Sequence, residues 1–60
     1  MDLKKLKEYL EVLQWYLKDL VKERSNKIKA GDYEKMDIYD AQVEDTKEEI
    51  KHVKKKINEN

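Results

Sequence analysis

The chain has no cysteine, no proline, no phenylalanine and a single glycine, Gly31, among its 60 residues. Without thiols there is neither a disulfide framework nor a thiolate zinc site, the staples of very small secreted domains, so an intracellular, cytoplasmic setting is expected. With one glycine there is no glycine-rich loop to cradle a phosphate or an oxyanion. Long apolar runs are also missing. The longest uncharged stretch, residues 12–17, is six residues long and contains Gln14, whereas a signal peptide needs roughly 7 to 15 apolar residues and a membrane span roughly 20. A soluble, unprocessed chain without a membrane partner is expected. Nor is there a net charge of either sign, since 14 Lys+Arg balance 14 Asp+Glu. A domain of this size cannot wrap an enclosed cleft and keep a separate core. No catalytic residue and no cofactor is therefore expected.

What is present is periodicity. Leu3, Leu6, Leu10, Leu13, Leu17 and Leu20 recur at alternating spacings of three and four, the a/d seam of a helix that packs on another helix. The register falters at Arg24 and Lys27, and the apolar stripe drifts to Val21 and Ile28. Helix one is expected over about residues 2–30. Gly31 sits where the pattern lapses and suits a left-handed position just past the helix, with Lys27 and Lys29 favouring the negative end before it. Two residues compete to cap the next helix: Asp32, or Asp37 if residues 32–36 form a looser connection.

Met36, Tyr39, Val43, Thr46, Ile50, Val53 and Ile57 form a second seam with one polar member, so helix two is expected over about residues 33–58. A short connection makes two long helices antiparallel neighbours. The expected fold is all-α, one antiparallel helical hairpin across residues 1–60, with Leu6 near Ile57, Leu10 near Val53, Leu13 near Ile50, Leu20 near Val43 and Ile28 near Met36. Twelve apolar seam residues are a small core for a chain of this length. Completion of a four-helix bundle, by dimerisation or by docking on a partner, is the expected remedy.

The sharpest local feature is aromatic. Tyr9, Val12, Trp15 and Tyr16 lie off the leucine seam and, at about 100° per residue, spread the apolar arc of helix one beyond what one neighbour can cover. Trp15 falls on the far face among Glu8, Glu11, Lys18, Asp19 and Lys22. Trp and Tyr dominate interface hot spots, so these four residues are the candidate protein-binding or dimerisation surface; the plainer alternative is that the tyrosines flank the core and Trp15 lies along charged stems.

Charge is balanced overall but not locally. Residues 32–49 hold eight acids against Lys35 and Lys47, a local net of minus six, while Lys51, Lys54, Lys55 and Lys56 crowd the end of helix two. A hairpin sets these lysines beside Lys4, Lys5 and Lys7, giving a basic open end. Acids early and lysines late in helix two complement its dipole. Asp37, Asp40, Glu44, Asp45 and Glu48 form the candidate acidic face, which could imitate a phosphate backbone in a nucleic-acid channel. Direct nucleic-acid binding is not expected, because seven lysines with no arginine and zero net charge make a weak footprint.

Glu49 and His52 have the Glu-x-x-His spacing of di-iron bundles, but His52 points about 150° from the seam, so no metal is expected. Ser25 and Thr46 are the only aliphatic hydroxyls. Ser25 marks the weakening end of helix one, and Thr46 can return its hydroxyl to its own helix as a polar register mark.

The Lys/Glu/Ile/Asn/Tyr-rich, cysteine-free composition resembles that of small accessory proteins of bacteriophages and mobile elements of low-GC bacteria. That resemblance implies a stoichiometric regulator or inhibitor of a larger host protein, of the anti-defence or anti-CRISPR kind, and assigns no residue. From the sequence, then, we expect a non-catalytic interaction module whose partner is another protein, a second copy of itself, or both.

Overall fold

The computed structural model describes residues 2–59 and contains two helices, α1 (Leu3–Lys29) and α2 (Met36–Glu59), packed against each other as a hairpin. Helix α1 begins where Asp2, in extended conformation, turns its carboxylate to the Lys4 amide at 3.4 Å. Its carbonyl accepts the first helical bond, from the Leu6 amide at 3.0 Å. Asp2 thus satisfies donors that a helix start leaves orphaned.

The C-terminus of α1 closes by a Schellman motif. The Gly31 amide donates to the Ile28 carbonyl at 3.0 Å, and the Asp32 amide reaches back to Lys27 at 2.9 Å. Gly31 has φ of +74°, the left-handed region that costs other residues about 1–2 kcal/mol. Lys27 also pairs with the Asp32 carboxylate at 3.4 Å, an ion pair where such motifs commonly place an apolar contact.

Helix α2 starts at Met36, three residues later than the sequence pattern predicts. Asp32 does accept from the Glu34 amide at 3.3 Å, the bond a capping aspartate would make, but the chain turns again at Glu34 and Lys35 before it becomes helical. The Met36 amide bonds Tyr33 at 3.4 Å and the Tyr39 amide bonds Lys35 at 3.1 Å. Neither candidate acid holds the position before Met36, which is Lys35. Asp37 lies inside the first turn, where its charge favours the helix's positive end.

The core is thin. Leu6, Leu20, Ile50, Val53 and Thr46 are buried, while Leu10, Leu13, Leu17, Met36, Tyr39, Val43 and Ile57 are half-buried. Leu3 and Ile28, at the ends of the first seam, are exposed. Thr46 donates its hydroxyl to the Gln42 carbonyl of its own helix at 2.7 Å, so its burial strands no polar atom. Nearer the turn the seam becomes ionic. Arg24 Nε donates to Asp40 at 2.8 Å, and because Arg24 lies one helical turn before Ile28 and Asp40 one turn after Met36, the pair extends the expected Ile28/Met36 register.

The result is a rod of 45 × 15 × 13 Å with a radius of gyration of 14.0 Å, against about 10 Å for a compact chain of this length. It exposes 5068 Å², about 900 Å² more than the roughly 4,200 Å² of a compact monomer of this mass.

Three outcomes follow from this geometry. Since nothing lies within 4 Å of a Cβ built at Gly31, Gly31→Ala should cost about 1 kcal/mol in a denaturant melt, purely from backbone conformation, with Gly31→Asn less harmful. Thr46→Val should be neutral or stabilising by up to about 1 kcal/mol, because its hydroxyl bonds a carbonyl already engaged in the helix. The Glu34 amide and then the Lys27 ammonium hold the Asp32 carboxyl below its usual range. The turn therefore gains stability above pH about 4, the ordinary aspartate value, and loses it as pH falls through the lowered folded value. The melting advantage of the wild type over Asp32→Asn should shrink across that window.

Candidate interaction surface

In heptad terms, Leu3, Leu10, Leu17 and Arg24 are the a positions of α1 and Leu6, Leu13 and Leu20 the d positions; in α2, Met36, Val43, Ile50 and Ile57 are a, and Tyr39, Thr46 and Val53 are d. Two right-handed helices running in opposite directions put their g positions on one flank of the pair and their e positions on the other. Tyr9, Tyr16 and Glu23 are g in α1; Gln42, Glu49 and Lys56 are g in α2. Next outward on this flank come Lys5, Val12 and Asp19 of α1, with Ile38, Asp45 and His52 of α2.

All four members of the sequence-derived aromatic surface are exposed: Tyr9 at 43%, Tyr16 at 48%, Val12 at 63% and Trp15 at 70%. They do not form one flat patch. Tyr9 and Tyr16 edge the core seam, Val12 is about 125° from it, and Trp15 about 180° away, on the side of α1 opposite α2. The indole protrudes between two shallow, open depressions. The larger, about 460 Å³, runs along Gln14, Lys18 and Lys22; the other lies along Glu8 and Val12. Glu11 borders both, so charged stems frame an apolar ring that none of them covers.

The acidic residues are dispersed. Asp37, Asp40, Glu44, Asp45 and Glu48 are all exposed, but Asp40 is held by Arg24, and Glu44 lies 3.9 Å from Lys47 one turn on. Asp40 faces the e flank and Asp45 the g flank, with the other three between, an arc of about 140°. Glu49 and His52 are also exposed, and among the described residues no three His, Cys, Asp or Glu side chains are placed to hold a metal ion.

Three further apolar side chains face solvent: Tyr33 in the turn, Val21 on the e flank and Ile38 at the start of α2. Seam counting carried the stripe to Val21 but passed over the other two. The readable signal was their place beside Asp32 and Asp37, apolar residues in the most acidic part of the chain. No helix among the described residues is long and apolar enough to cross a membrane. Comparison with protein-family models, curated proteins and solved structures finds no match to this chain.

Proposed function

We propose that this protein is a small non-catalytic interaction module that acts by stoichiometric binding, a regulator or inhibitor of a larger protein in the cytoplasm. The observation that carries this reading is Trp15. A tryptophan 70% exposed at the middle of a 27-residue helix is the costliest side chain to leave in water and the one most enriched among binding hot spots. Its surroundings suit recognition. Glu11, Lys18 and Lys22 supply a rim of mixed sign that can select a partner by charge pattern and keep the free chain soluble.

Trp15 is the sole tryptophan, so its fluorescence reports on this surface alone. The free chain should show the emission of a water-exposed indole, shifting to the blue when a partner purified from the source cell is added. Trp15→Ala should keep its helicity by circular dichroism yet bind that partner about 2 kcal/mol more weakly. Equal affinity of the two chains would sink the reading. Loss of binding on neutralising Asp37, Glu44, Asp45 and Glu48 instead would move the working surface to the acids of α2.

A further inference from the structure

Tyr9, Val12 and Tyr16 share the g flank with a set of charges whose order along the rod is not random. Inward from the acids Asp2 and Glu59 at its open end, this flank carries Lys5 and Lys56, then His52 and Tyr9, then Glu49 and Val12, then Tyr16 and Asp45, then Asp19 and Glu23. A twofold axis through the middle of the aromatic group, level with residues 12 and 13 of α1 and with 50 and 51 of α2, lies across the rod.

Rotation about it lays Tyr9 of one chain on Tyr16 of the other and brings Val12 beside its own copy. The same operation sets Lys5 opposite Asp19, His52 opposite Glu49 and Lys56 opposite Asp45, each twice. These three charged facing pairs are opposite in sign or a histidine on a carboxylate; only at the margin of the overlap does Asp2 meet Glu23, acid on acid. With the turns at the same end instead, α1 would lie on the partner's α2, Lys5 would fall beside Lys56 and Asp19 beside Asp45, like on like.

We propose that the g flank is the interface of a homodimer in which two hairpins pack face to face with their turns at opposite ends. Isologous contacts require a patch complementary to itself, and this flank meets that condition in both its aromatic and its charged residues. The areas agree as well. The rod exposes about 900 Å² more than a compact monomer of its mass, and a standard interface buries about 800 Å² per partner. Overlap of about 20 residues of each helix gives a contact some 30 Å long. Trp15 stays outside it, so the dimer displays two indoles on its outer faces, and self-association can fail while binding through Trp15 stands, or the reverse.

Light scattering on the purified chain should give twice its 7.3 kDa mass; a monomer at about 100 µM would overturn the proposal, since interfaces of this size bind at micromolar or tighter. Lys5 and Asp19 are about 21 Å apart on one helix and cannot meet within a chain. Lys5→Glu or Asp19→Lys alone should weaken dimerisation about tenfold, and the double exchange should restore it. Failure of that rescue would exclude the arrangement. In this cysteine-free chain, an equimolar mixture of Tyr9→Cys and Tyr16→Cys chains should oxidise to the mixed disulfide in preference to either homodisulfide; preference for the homodisulfides would overturn the pairing. Trp15→Ala should dimerise as the wild type does, and a monomeric Trp15→Ala would refute the placement of Trp15 outside the contact.

Discussion

Each helix of a two-helix hairpin has one neighbour, and that single seam is the constraint on which the rest of this structure depends. Only side chains within roughly a quarter-turn of the contact line can be dried, which is why so few residues are buried and why Leu10, Leu13 and Leu17 remain partly wet although they belong to the same leucine series as Leu6 and Leu20. The seam also explains how a threonine can stand in it. A helical pair loses little by admitting one polar residue whose hydroxyl folds back on its own backbone. Gly31 serves the same contact from outside, since the left-handed residue reverses the chain within a few positions and lets both seams face inward.

Electrostatics takes over where the leucines end. From Arg24 onward α1 offers the seam a cation, and Asp40 answers it; one turn further, Lys27 does the same for Asp32. Both pairs are exposed, so neither adds much to stability on its own. They act on alignment: Arg24 reaches Asp40 only in the register that also sets leucines against the apolar residues of α2. The aliphatic stem of Arg24 meanwhile continues the apolar surface that its guanidinium leaves.

Most of the fold was legible because spacing alone encodes it. Intervals of three and four define both helices, and the lone glycine marks where the first one stops. The start of α2 was not legible, for a specific reason. An aspartate after a glycine can cap a helix or form a local turn through the same side-chain bond to the amide two residues on, and that bond is present at Asp32 although the helix begins only at Met36. The ion pair of Arg24 with Asp40 was hidden for another reason: it joins residues sixteen apart and exists only once a register is chosen. For the surface, periodicity places Trp15 on the far side of α1, while Ile38 lies behind the seam of α2 and Tyr33 lies outside both helices, where spacing carries no signal.

A chain with 47% charged residues and no net charge can carry such exposed aromatic surface for a reason that also bears on what the surface is for. Around Trp15, Glu8 and Glu11 stand on the N-terminal side and Lys18 and Lys22 on the C-terminal side, so the indole is rimmed by hydrated charge of both signs. Along the g flank the lysines Lys5 and Lys56 stand on one side of the tyrosines and the acids Asp45 and Asp19 on the other, an order that favours an antiparallel meeting of two copies over a parallel one. A single thin seam leaves the outer face and the g flank of α1 uncovered, and that is what makes room for contact surfaces at different angles around the same helix.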